Sequence, residues 1–357
     1  MSERAGGTPP RLDTLGMWDA AASLPQTLRD ALTTARDTFC ANAWDLGAGE
    51  PVRTVIAFGL GGGGLAAEAA AAVAAPHLDL PCLLDSGADV PAFVGPDTLA
   101  IAMSCGDHGA ETVGALTEAL VRGCRAVVVS DDGPLVDVAA EAEIPHCGLT
   151  AAGGPPGGAG GIAAAMVAML VALSRVGLST DVASSVAATA DALARRHDVV
   201  ASPGGRAEQL ARRLGRTIPV VYGAGPLGGT AARWWKARVN RNAKAPAFSA
   251  ELPGLTHDEL AGWGQGGDVT RQTMTLVLLR QPGEPPRTAA LFDAVTTATD
   301  EVMASVEEVW AEGADDLGRL LDLALLGELV SLHLAAREGV DPGPVPAIDA
   351  AAEVESR

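Results

Sequence analysis

From residue 53 onward the apolar positions fall in short, nearly unbroken runs, TVIAFG, PCLLDSG, LAIAMS, CRAVVVS and IPHCGL, separated by longer stretches rich in alanine. An apolar run of this length without polar alternation reads as a strand buried on both faces, and the spacers are long enough to be helices. The pattern therefore predicts parallel strands in an α/β layer fold. Ahead of it, residues 15–43 carry apolar positions at helical spacing and predict one or two helices forming an arm. The tract TAAGGPPGGAGG (150–161) breaks regular structure before an apolar helix over 162–176.

The second half starts the same plan again. RTIPVVYGAGPLGGTAARWW has the strand, glycine loop and helix of TVIAFGLGGGGLAAEAA in the same order, and Gly59, Gly61 and Gly64 recur as Gly223, Gly225 and Gly228, 164 positions later. Two copies of one α/β unit follow from this. Further strands are expected at KAPAFSAEL and MTLVLLR, and an amphipathic helix over 317–338. The organisation predicted is bilobal: a helical arm (1–50), a first domain (51–176), a linker helix (177–205) and a second domain with a C-terminal helix (206–357).

Composition narrows the partners. The 357 residues are 48% hydrophobic, enough for a substantial core, and 44 acidic against 25 basic residues leave a net charge of -19. Such a field repels nucleic acid and anionic lipid, so an anionic ligand needs a local pocket of opposite sign. Cys40, Cys82, Cys105, Cys124 and Cys147 are odd in number and unclustered, which argues for reduced thiols and against a disulfide framework or a zinc site. The start MSERAGGTPPRLD lacks an apolar core and the longest apolar run is too short to span a bilayer, so a cytoplasmic protein without membrane contact is expected.

Three stretches carry candidate chemistry. The first glycine loop has the G-x-G-x-x-G spacing of a dinucleotide site, with Asp85 near the place of the ribose-binding acid, yet glycine loops before helices hold any anion, and glycines also simply permit close packing. MSCGDHGAETVGAL (103–116) offers Ser104 and Thr112 either to a phosphate or as helix caps. WWKARVNRNAKAPAFSAELPGLTHDELAGW (234–263) gathers Lys236, Arg238, Arg241 and Lys244 in an acidic chain, followed by Glu251, His257, Asp258 and Glu259. A cationic cluster with a nearby histidine suits a small anionic substrate. Asp107 and His108 do not by themselves make a metal site, and no metal is expected.

In this order the motifs resemble those of the bifunctional phosphoglucose/phosphomannose isomerases, which consist of two sugar isomerase (SIS) domains, over residues 53–348. GLGGGG is similar to that family's Gly-Met-Gly-Gly-Ser-Ala, SCGDHGAET to its Ser-Tyr-Ser-Gly-Asn-Thr-Glu-Glu-Thr, and GGPPGGAGG stands at its Pro-Arg loop. NRNAKAPAF with LPGLTHDELAGW is similar to Asn-Glu-Asn-Ala-Lys-x-Pro-Ala-Phe with Pro-Glu-x-Asn-His-Asn-Glu at identical spacing, and GVDPGPVPAI to the family's ending. The resemblance implies two mostly parallel, flavodoxin-like sheets, each flanked by helices in three αβα layers. It also implies a homodimer without a cofactor, and isomerisation of glucose 6-phosphate or mannose 6-phosphate to fructose 6-phosphate through ring opening and an enediol.

By the same resemblance His257 is the ring-opening residue, and Gly61, Gly62, Gly63, Ser104, Gly106, Asp107, Gly109 and Thr112, with Arg241 and Lys244, surround the sugar phosphate. The family's base glutamate is Arg241 here, a side chain that cannot shuttle a proton at neutral pH. Glu251 is the first candidate to replace it and Glu259 the second. Other family side chains have become Gly63, Gly106, Gly109, Gly157 and Gly343, so the fold signals persist while the side-chain chemistry thins out. Three functions stay open on the residues: a sugar-phosphate isomerase, a sugar-phosphate-binding regulator without turnover, and an NAD(P)-binding oxidoreductase.

Overall fold

The computed structural model describes residues 12–41, 51–87, 89–106, 109–149 and 157–355. Its frame is a pair of parallel sheets. In the first, β1 (Thr54–Phe58), β2 (Cys82–Asp85), β3 (Thr98–Met103), β4 (Arg125–Ser130) and β5 (His146–Gly148) lie in the order β2-β1-β3-β4-β5. In the second, β6 (Ile218–Ala224), β7 (Phe248–Leu252), β8 (Met274–Arg280) and β9 (Ser305–Trp310) lie in the order β7-β6-β8-β9. Apart from β5, which has no counterpart, the two orders correspond, so both glycine loops leave equivalent strands at equivalent corners. β9 was not anticipated. SVEEVW alternates polar with apolar residues because it forms the sheet edge, and a search for unbroken apolar runs passes over it.

The described helices are α1 (Met17–Ala22), α2 (Leu24–Arg36), α3 (Gly61–Ala74), α4 (Ala110–Val121), α5 (Pro134–Glu141), α6 (Ala159–Ser174), α7 (Val182–Val200), α8 (Arg206–Leu214), α9 (Gly225–Ala243), α10 (Gly267–Thr273), α11 (Pro286–Thr299), α12 (Asp316–Glu338) and α13 (Pro346–Glu355). The arm folds as α1 and α2, and α6 is apolar all round because it is buried all round. No helix among the described residues is long and apolar enough to cross a membrane.

Strand residues alternate between layers. On β1 and β3, Ile56, Phe58, Ala100 and Ala102 pack with Leu116 of α4 and Leu135 of α5, while Val55, Ala57, Leu99 and Ile101 join an apolar cluster that continues through α2, α3, α6, α9 and α12 to Val221, Val277 and Leu279 of the second sheet. The outer face of that sheet covers itself with Phe292 and Val295 of α11. Both sheets thus share one core.

α9 is the centre of this arrangement. Trp235 seats in a notch at Gly327 of α12, where an added Cβ would fall 2.5 Å from Cδ1, and its Nε1 donates to the Leu323 carbonyl at 2.7 Å. One turn on, Arg238 and Glu328 are each about 2% exposed and 3.8 Å apart, and the Asn242 amide donates to Glu328 Oε1 at 3.0 Å and to Ser331 Oγ at 2.8 Å. Burial pushes the Glu328 carboxyl above its usual range, against the lowering by Arg238. On the other side of the core, α3 presses on β3: a Cβ at Gly63 would lie 2.3 Å from the Met103 carbonyl oxygen.

Two expectations follow. Gly63→Ser forces α3 off β3 and lowers unfolding stability by about 1–3 kcal/mol in urea titrations. Glu328→Leu alone leaves the Arg238 guanidinium buried without its carboxylate and costs about 3–5 kcal/mol, whereas Arg238→Met together with Glu328→Leu recovers most of that loss.

Candidate functional site

The site is built where the first glycine loop meets α9. Phe58 at the end of β1 pairs with Asp85 at the end of β2, and the chain passes through Gly59 and Leu60 into the first turn of α3 at Gly61. Opposite, α9 turns residues 233, 236, 237, 240 and 241 toward this corner, positions that share one helical face. Between them lies a cleft of about 530 Å³, to which Ile348 of α13 also contributes. Cations and carboxylates meet in it: Arg233, Lys236 and Arg241 from α9, Glu68 from α3 and Asp85 from β2.

The carboxylates are engaged within the fold. Glu68 Oε1 accepts from Thr230 Oγ1 at 2.7 Å and from Arg233 Nε at 2.6 Å, which ties α3 to α9 across the cleft. Arg233 Nη1 also stands 3.7 Å from Glu251 Oε2, so one guanidinium joins Glu68 of α3 with Glu251 of β7. Asp85 Oδ1 accepts from the Gly87 N–H at 2.7 Å. Arg241 lies against the start of the 157–158 turn, where a Cβ on Gly157 would be 2.6 Å from its Nη2, while Arg238 Nη1 donates to the Gly157 carbonyl at 2.8 Å. Where the resemblance expects an arginine on the loop at 157, a guanidinium arrives from α9 instead, and a side chain at 157 would have to displace it.

Of the residues singled out by sequence, Gly59, Gly61, Gly64, Asp85, Lys236 and Arg241 line this cleft, while Glu251 and His257 do not. Gly62, Gly63, Ser104 and Thr112 are buried beside it, with Gly63 against Met103 and Ser104, so a serine hydroxyl at 63 is not compatible with this packing. Gly106 and Gly109 flank the β3–α4 loop, whose Asp107 and His108 lie outside the described residues, as do 150–156 of the Gly/Pro tract. Lys244 ends α9 in a left-handed conformation and spends its ammonium on the Arg241 and Pro342 carbonyls, the latter at 3.1 Å, and desolvation lowers its pKa. It tethers the C-terminal segment rather than lining the cleft.

Glu251 lies on β7 beside Gly223 of the second glycine loop, packed on Gly229 and near Arg233. His257 is exposed on the one-turn helix Gly254–His257. Glu259 accepts from the Tyr222 hydroxyl at 2.5 Å, and Trp263 Nε1 donates to the same oxygen at 3.1 Å, so this carboxylate anchors the segment after β7. Burial, with Glu259 beside it, raises the Tyr222 pKa. Sequence reading missed Glu68, Arg233 and Asn240. The i, i+3, i+4, i+7 spacing from 233 to 240 was the available signal for the last two, whereas Glu68 sits in an alanine helix with nothing local to mark it. Among the described residues no group of three or more His, Cys, Asp or Glu is placed to hold a metal ion.

Known proteins share both the sequence and the architecture. Residues 205–353 match the bacterial phospho-glucose isomerase C-terminal SIS domain. A bifunctional phosphoglucose/phosphomannose isomerase of Caldicellulosiruptor bescii is 24% identical over 304 residues, 84% of this chain and 88% of that one, and another from Aquifex aeolicus is 26% identical over 305 residues, 84% and 89%. Among solved structures, the C-terminal domain of glucosamine-fructose-6-phosphate aminotransferase from Francisella tularensis superposes with a TM-score of 0.64 at 14% identity, covering 95% of this chain and 99% of that one. A glucose-6-phosphate isomerase-like protein from Thermus thermophilus gives 0.56 at 21% identity, with 91% and 98% covered. The second half thus matches the bacterial phospho-glucose isomerase C-terminal SIS domain, and the chain is similar over most of its length to bifunctional phosphoglucose/phosphomannose isomerases.

Proposed function

We propose that the cleft binds a hexose 6-phosphate and that the chain, as a homodimer, isomerises glucose 6-phosphate and mannose 6-phosphate to fructose 6-phosphate. The observation that carries this reading is the face of α9, which brings Arg233, Lys236 and Arg241 to the glycine corner of a chain whose net charge is -19. The phosphate dianion lies against Lys236 and Arg241 and the N-terminus of α3, where the helix dipole adds to the attraction. Asp85 and Asn240 are left for the sugar hydroxyls.

Aldose and ketose differ by one proton moved between C1 and C2. In this reading Glu251 takes the C2 proton of the open-chain aldose and returns it to C1, while through the enediol the C2 hydroxyl gives up one proton and the C1 carbonyl oxygen gains one, so that no proton is gained or lost overall. The ring-opening role falls to His257 by the resemblance alone, since this exposed side chain does not line the cleft. Glu251 starts near Arg233, and a phosphate that attracts the same guanidinium loosens that pair. A second reading, binding without turnover, is favoured by Arg241: it stands where the resemblance puts the base, with its guanidinium packed on Gly157.

A coupled assay for fructose 6-phosphate separates the two. Under the first reading Glu251→Gln lowers kcat by about 10²–10⁴ and leaves ligand-induced thermal stabilisation intact. Absence of turnover in the parent chain, with stabilisation by a hexose 6-phosphate, establishes the second. Stabilisation by ligand at 100 times Kd is about 2.7 kcal/mol, and Lys236→Gln with Arg241→Gln is expected to remove it. If the double variant is stabilised as strongly as the parent, the ligand is not held in this cleft.

A further inference from the structure

The second sheet has a cleft of its own that the isomerase reading leaves unused. In the order β7-β6-β8-β9 the chain direction across the sheet reverses between β6 and β8, and in parallel sheets the crevice at the carboxyl ends of two such strands is where ligands enter. A cleft of about 540 Å³ opens there. Gly225 at the start of α9, Gln281 after β8, Arg287 and Thr288 in the first turn of α11, and Arg319 of α12 line it. It corresponds by topology to the crevice between β1 and β3 in the first sheet.

Its lining carries two arginines, Arg287 and Arg319, against one carboxylate, Glu284, in an acidic chain. Arg287 is exposed to the cleft, and Arg319 donates from Nη1 to Asp316 at 3.1 Å while its buried Nε has no hydrogen-bond partner among the described residues. The carboxylate that also lines the cleft, Glu284, is neutralised from behind. Arg280 Nε donates to it at 2.9 Å and Nη1 to Glu308 at 2.8 Å, and the guanidinium is held 4.5 Å over Phe292 and 4.7 Å over Trp310. Two helices of 19 and 14 residues begin at the rim, and the first turn of each leaves N–H groups without intrahelical acceptors and a partial positive charge.

We propose that this cleft is a second ligand site, which takes the phosphoryl group of a small phosphomonoester between Arg287, Arg319 and Thr288, with the rest of a phosphorylated sugar over Gln281. The site does not depend on the isomerase reading, since none of its residues lines the first cleft.

The test uses the full chain carrying Lys236→Gln and Arg241→Gln, so that the first cleft does not compete. Inorganic phosphate and glucose 6-phosphate are titrated separately by calorimetry at low ionic strength, where surface screening is weakest. Saturable binding of either at one per chain is expected. Adding Arg287→Glu and Arg319→Gln is expected to weaken it at least tenfold, and Arg287→Glu alone, at an exposed side chain, gives the same direction without disturbing the Arg319–Asp316 contact. Circular dichroism melts confirm that each variant is folded. No saturable binding of either ligand, or affinity unchanged by Arg287→Glu in a folded chain, overturns the proposal.

Discussion

The packing of α9 against α12 is the contact on which the rest of the molecule depends. Trp235 enters the notch that only a glycine at 327 leaves open, and the buried Arg238, Glu328, Asn242 and Ser331 group locks the next turn. A buried charge pair contributes little net stability, because desolvation offsets its attraction, but breaking it is costly, so it selects one rotation of α9 about its own axis. That rotation decides which side chains face the first sheet. With Trp235, Arg238 and Asn242 turned to α12, the cations at 233, 236 and 241 have to face the glycine corner of β1.

The same helix links the two clefts. It begins beside the crevice of the second sheet and carries the cationic face of the first, and Glu68, Thr230 and Arg233 tie its middle to α3. Charge is therefore concentrated by geometry in a chain that is acidic overall. Arg241 shows the consequence most directly. The resemblance expects a guanidinium from the loop at 157 and a carboxylate from α9, while here α9 supplies the guanidinium and it lies against a glycine at 157.

Much of the fold was legible. Buried parallel strands are apolar end to end, so β1, β3, β4, β6 and β8 stand out in the sequence, and the two glycine loops announce the repeat. The edge strand β9 did not, because alternation at an edge looks like loop or helix surface. Of the cleft's lining, Gly61, Asp85, Lys236 and Arg241 were already singled out by motif and residue type. Glu68 and Arg233 were not, since their meaning lies in a contact between residues 165 positions apart.

Sequence alone determined the layer type, the duplication and the clustering of cations in residues 236–244, because these rest on local periodicity and on residue chemistry. It could not tell that Arg238 and Lys244 are consumed by the fold while Lys236 and Arg241 reach the cleft. Those four lie within nine residues of one another, and on a helix and its cap such neighbours point in different directions. Which of them faces the cleft was decided by how α12, α3 and the C-terminal segment close around α9, and that is a property of the packed core.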